Sequence, residues 1–233
     1  WLKLTWLLNL YYSCLDSFKR KLIEGLREGP FFFTILEKVK FMWSKESQET
    51  YEMLKEAVLD IALKWQFYRA YYVGDPMRID LLNKVAPITF GLFQAVLIDD
   101  IVLSINRLLD SPQMMRNENL VLERLITSIR NDGFNDLADD QEKQLAKIKD
   151  AAQNLRVRRH KKISHNDLAT FTATSRTLPP VTIESISDVL EHIYSFLNSI
   201  LLFFEEKTLY YEFLDSGGNE PARFTSRLGT IVD

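Results

Sequence analysis

Arg156, Arg158, Arg159, His160, Lys161, Lys162 and His165 fall in one stretch, from Leu155 to Asp167, that holds no carboxylate before Asp167 itself. Those residue types suit a phosphodiester. A guanidinium forks onto phosphate oxygens, and an imidazole moves a proton near neutral pH. An arginine and a histidine one to two helical turns apart can act on the same group. The plainer alternative is a solvated helix end, because cations collect at a helix carboxyl terminus without any further role. Spacing speaks for more than that. If helical geometry continues through the stretch, Arg156, Arg159 and His160 share one face, with Ile163 packed behind them.

The elements that must position these residues read as helices. Apolar residues recur at intervals of three and four, and most of the eight glycines and seven prolines fall at breaks. The fold class expected is all-α. A first helix is predicted from about Trp1 to Arg27, and a second carries Phe31, Ile35, Val39 and Met42. A long amphipathic helix over Gln48 to Tyr72 presents Tyr51, Leu54, Val58, Ile61 and Trp65, and Val73-Gly74-Asp75-Pro76 ends it. Ile79 to Leu109 is mostly helical with an interruption at Pro87, and Phe90, Phe93, Leu97, Val102, Ile105 and Leu109 form its packing stripe.

Asn117 or Asn119 is expected to cap a shorter helix with Leu122, Leu125 and Ile129, which Asn131-Asp132-Gly133 closes. From Asp140 a polar helix runs through Leu145, Ile148, Ala152 and Leu155 into the basic stretch. Arg159 then lies near its carboxyl end and His165 just beyond. Asn166 to Pro180 is loop-like. Thr182 caps a last long helix from Ile183 to about Leu214. Tyr210, Tyr211 and Phe213 suit bundle packing.

Composition narrows the function further. The 233 residues, 46% hydrophobic and 26% charged, are enough for one sizeable core. A net charge of -3 argues against general nucleic-acid coating, so any contact with RNA or DNA must be local. Cys14 is the single cysteine, which excludes an internal disulfide and a cysteine-rich zinc site and makes a reducing cytoplasm the simplest compartment. Lys3, Thr5 and Asn9 make Trp1 to Leu15 a helix face rather than a signal sequence. Ile193 to Phe204 is well short of the ~20 residues a membrane helix needs, and reads as a core helix.

Asp99, Asp100, Asp110 and Glu123 do not suggest a metal cage, since the two adjacent aspartates diverge and Arg107 is the expected partner of Asp110. His192 is expected to be structural. Ser195 and Ser199 have no acid companion at triad spacing, so hydrolase chemistry finds no support there. Neither a metal nor a cofactor is expected.

Arg159-His160-Lys161-Lys162-Ile163-Ser164-His165 resembles the signature of the HEPN superfamily, the higher eukaryotes and prokaryotes nucleotide-binding proteins: an arginine, a polar residue, four more residues and a histidine. Other positions resemble the AbiU-type abortive-infection family within it. They include Trp65, Tyr68-Arg69, Gly74-Asp75-Pro76, Arg78, Asp80-Leu81-Leu82-Asn83, Ala86-Pro87 and Phe90-Gly91, then Asp99-Asp100, Leu103, Arg107-Leu108, Asp110, Asn119-Leu120 and Leu122-Glu123-Arg124-Leu125. The resemblance covers roughly Tyr51 to Leu228. It implies an N-terminal helical extension over 1–45, a HEPN-like helical bundle over 46–215 and a C-terminal tail over 216–233.

The resemblance also implies a metal-independent endoribonuclease acting in phage defence or as a toxin-like effector, cytoplasmic and away from membranes. Such proteins usually form homodimers, with two motifs across one cleft. His165 would move the proton of a ribose 2′-hydroxyl and Arg159 would stabilise the charge on phosphorus. His160 would orient them or bind phosphate, and Arg156, Arg158, Lys161 and Lys162 would guide the RNA backbone. Toxins of this type controlled by a nucleotidyltransferase often carry tyrosine two residues after the motif histidine. Here Asp167 stands there, and it either holds His165 in one tautomer or caps the following turn. An antitoxin or activator protein is a further expected partner. Two alternatives stand beside the enzyme: an inactive HEPN module that binds RNA or a nucleotide, and a helical scaffold whose aromatic front docks another protein.

Overall fold

A computed structural model describes residues 43–114, 117–163, 179–212 and 220–232. The two helices expected before Met42 lie outside the described residues, as do Ser164, His165, Asp167 and most of the loop that follows them. Helix α1, Lys45–Tyr72, begins three residues earlier than expected because Ser44 caps it: the Ser44 hydroxyl accepts the Ser47 N–H at 3.1 Å. The stripe of Tyr51, Leu54, Val58, Ile61 and Trp65 is buried along its whole length. Gly74, at φ 84°, turns the chain, and the Asp75 side chain then caps α2, Pro76–Val85. Pro87 opens α3, Pro87–Leu108.

Helix α3 departs from its expected packing. Its second half is core, with Ile101, Val102 and Ile105 fully buried, whereas Phe93 is exposed and Phe90 and Leu97 are only half-buried. The first half lies beside the last turns of α1, where the Tyr72 hydroxyl donates to the Phe90 carbonyl at 3.0 Å. After α3 a small antiparallel hairpin pairs β1, Gln113–Met114, with β2, Asn117–Glu118. Neither asparagine caps the next helix. Asn117 lies in β2, and the Asn119 side chain donates to the Ser111 carbonyl at 2.8 Å, so α4, Leu122–Asn131, starts after Val121 without a side-chain cap.

Gly133, at φ 90°, leads into α5, Asn135–Ala151, which breaks at Ala152 before α6, Gln153–Arg158. Residues Arg159–Ile163 continue as a π-helical turn. Helix α7, Ile183–Glu205, opens with a reciprocal cap: Ser185 N–H donates to Thr182 Oγ1 at 3.1 Å, and Thr182 N–H to Ser185 Oγ at 3.0 Å. It ends nine residues short of the expected Leu214, at left-handed Glu206. A last helix, α8, Glu220–Val232, packs against α1 and α2.

The core lies where α1, α3, α4, α5 and α7 meet, with Phe196, Leu125, Ile129 and Ile148 among its fully buried side chains. Beyond α7 the chain folds back. Asn198 Oδ1 accepts the Leu209 N–H at 2.7 Å and Asn198 Nδ2 donates to the Leu209 carbonyl at 3.0 Å, which brings Tyr211 onto Tyr194 with ring centres 4.1 Å apart. Burial raises the pKa of both phenols, as it does that of Tyr51. Tyr210 by contrast is exposed.

Candidate functional site

The basic stretch is held at both ends by apolar anchors. Leu155 is fully buried under α6, and Ile163 packs against the core from the far end of the π-helical turn. Between them the helix does not continue in α geometry. The change of winding at Arg159 re-aims the side chains that follow, so the shared face expected of Arg156, Arg159 and His160 is not that of a straight α-helix.

Helix α3 supplies what pins the arginines. Asp99, in the middle of α3, accepts from both Nε and Nη2 of Arg158, at 3.2 and 2.7 Å. Asp110, two residues past its end, accepts from Arg159 Nη1 at 2.5 Å. Both pairs are partly shielded: the Arg159 and Asp110 side chains keep 18% and 27% of their exposure. Arg107, the partner expected for Asp110, is exposed instead. The half-buried guanidinium of Arg159 takes its place, since that charge has less water to turn to than the exposed Arg107. Lys64 fixes α1 to the same helix, bridging Asp60 at 2.6 Å and Asp100 at 2.8 Å. Burial opposes the Lys64 charge, yet the hydrogen bonds it donates to Asp100 and Asp60 outweigh it and raise the pKa.

The structure brings Arg158 and Arg159 against α3, with Lys161 half-buried beside them. Arg156, His160 and Lys162 are exposed to solvent. His165 and Asp167 lie outside the described residues. Among the described residues no acceptor meets Arg159 Nε, although the atom is buried. The motif arginine is thus an oriented, half-buried cation whose Nε–H, closed off from solvent, meets no acceptor among the described residues. No group of three His, Cys, Asp or Glu side chains that could hold a metal ion occurs among the described residues. His192 is exposed on α7, and Ser199 accepts from Gln141 at 2.8 Å as part of helix packing.

Sequence reasoning missed Asp99 and Asp110 as partners of the basic stretch. A signal was present for Asp99: Pro87 to Ile98 carries no charge, so an aspartate that follows on the same apolar helix calls for a cation from elsewhere.

The described residues are helical apart from one short hairpin, and Arg159 and His160 follow directly on α6. The family model of the HEPN AbiU2 proteins, described as AbiU2, matches residues 44–215, and the chain belongs to that abortive-infection family. The match begins at the cap of α1 and ends four residues after Tyr211. No curated protein and no solved structure matches the chain.

Proposed function

We propose that this protein is a metal-independent endoribonuclease of the HEPN type that acts as a homodimer in abortive infection. The observation that carries the reading is Arg159: a partly buried guanidinium, oriented by Asp110 where α6 gives way to π-helical winding, with a histidine six positions further along the chain. The ribose 2′-oxygen attacks phosphorus, and His165 takes its proton. The P–O5′ bond breaks, leaving a 2′,3′-cyclic phosphate and a 5′-hydroxyl oxygen that receives a proton in turn. Arg159 stabilises the charge on the equatorial oxygens, His160 orients phosphate, and Arg156, Arg158, Lys161 and Lys162 line the approach of the backbone. The need for a 2′-hydroxyl selects RNA over DNA.

The Asp110 contact also favours a second reading, in which Arg159 is engaged for good and the module binds RNA or a nucleotide without cleaving it. One experiment separates them. Wild type, Arg159→Ala and His165→Ala are incubated with end-labelled total RNA and transfer RNA in excess EDTA, and product ends are tested for cyclic phosphate. Cleavage by wild type alone, with cyclic ends, supports the nuclease. Salt-sensitive binding without cleavage supports the second reading, and cleavage that survives both substitutions overturns the assignment of these residues.

A further inference from the structure

Between the last turns of α1 and the first half of α3 runs a groove of about 600 Å³, with Phe224 of α8 as its third wall. Phe67 and Tyr71 line it from α1, Phe90 and Phe93 from α3. Leu63, Phe93 and Val96 keep 42%, 53% and 56% of their surface, so the described residues leave the groove open. An uncovered apolar surface on an otherwise well-packed domain marks a contact site. One rim of the groove is charged. Lys64 there is bonded to Asp60 and Asp100, two carboxylates to one ammonium.

We propose that the groove is filled from within the chain, by the N-terminal segment Trp1 to Leu15. The longer stretches outside the described residues after α1, 164–178 and 213–219, are polar or short, whereas Trp1 to Leu15 carries Trp1, Leu4, Leu8 and Tyr11 at helical spacing. Its one charged side chain, Lys3, has the sign that the rim of Asp60, Asp100 and Lys64 leaves unbalanced. The reach suffices. Leu63 to Tyr71 lie roughly 27–39 Å along α1 from Lys45, and residues 16–42 span about 40 Å even if helical throughout. Phe31 to Met42 is apolar too, but as the helix predicted there it extends only about 18 Å from Trp43 and stops short of the groove. The family match begins at residue 44 and ends at 215, so this segment and α8 are both additions to it. Helix α8 builds one wall of the groove, and the other addition occupies it. The proposal does not depend on whether the chain cleaves RNA.

Cys14, the only cysteine, is a native probe of the segment. In the full chain, Val96→Cys puts a second thiol on the groove, and Leu202→Cys puts one on an exposed site of α7 near the Phe204–Trp43 stack, at the opposite end of α1. A short bis-maleimide should link Cys14 to position 96 within one chain at least about tenfold faster than to position 202, because seating raises the effective concentration of the two thiols. A second measurement leaves the groove untouched. In Leu4→Glu/Leu8→Glu, shown by circular dichroism to be folded, the amides from Gly91 to Val96 should exchange at least about tenfold faster than in wild type, since two buried leucines are withdrawn. If that variant does not fold, the cross-link alone decides. Equal linking to positions 96 and 202, or exchange that the double substitution leaves unchanged, overturns the proposal. Linking only between chains overturns it in favour of a second copy. Protection of Gly91 to Val96 that arises only with phosphatidylglycerol vesicles overturns it in favour of lipid.

Discussion

Replacing Asp110 by Asn keeps the shape of the side chain and removes the charge that holds Arg159. At about 4 Å between charge centres and an effective dielectric near 20, the attraction is roughly 4 kcal/mol before costs. Desolvation of two partly buried groups and the ordering of a long side chain consume most of it. The geometry lies between an exposed pair, worth about 0.2–1 kcal/mol, and a buried one whose breakage costs about 3–5 kcal/mol. With 18% and 27% of the two side chains still exposed, the expected coupling is about 1.5 kcal/mol. It is measured by a double-mutant cycle of Asp110→Asn, Arg159→Met and the pair, each unfolded in urea and followed by circular dichroism. A coupling below about 0.3 kcal/mol would mean that the ion pair does not hold the motif arginine, and the orienting role given to Asp110 would fall with it.

Three further outcomes follow from the same structure. Phe196→Ala should cost about 3–5 kcal/mol in urea unfolding, because the ring is fully buried; a loss under about 1 kcal/mol would contradict that placement in the core. Thr182→Ala should cost about 1 kcal/mol and Thr182→Ser much less, since serine can accept the same Ser185 N–H; equal losses would show that the cap is not the cause. Burial raises the phenol pKa values of Tyr51, Tyr194 and Tyr211, so the fold favours their neutral forms. Their contribution is therefore fully present below the unfolded value of about 10 and is lost as pH rises above it. The urea midpoint should fall steadily above about pH 10, and phenolate absorbance should grow in step with unfolding; a midpoint unchanged to about pH 11 would refute the sign.

What could be read from the sequence and what could not divides along contact distance. The stripe from Tyr51 to Trp65 is one helix face, and spacing alone reveals it. Thr182 announces its cap in the same local way, and the motif at Arg159 carried the family. The end of α7 was hidden because apolar residues continue through Leu209 and Tyr211 at intervals a helix would accept. Only the pairing of Asn198 with the Leu209 backbone shows that the chain reverses there. Asp110 illustrates the other limit. Arg107 is its neighbour in sequence, yet the bond goes to Arg159, forty-nine residues on, where burial makes a counter-charge worth more. The exposed start of α3 was misjudged for a related reason: composition reports that a face is apolar, not which body covers it.

Arg158 and Arg159 are consecutive, yet one is tied to Asp99 within α3 and the other to Asp110, two residues past its end. In mechanical terms the segment is a beam pinned at two stations. Together with the buried Leu155 and the packed Ile163, the two pins leave the described part of the segment one bearing relative to α3. An anion that draws Arg159 from Asp110 releases one station and keeps the other. The segment then pivots about Arg158 instead of coming loose, and the same docking geometry is restored when the anion departs.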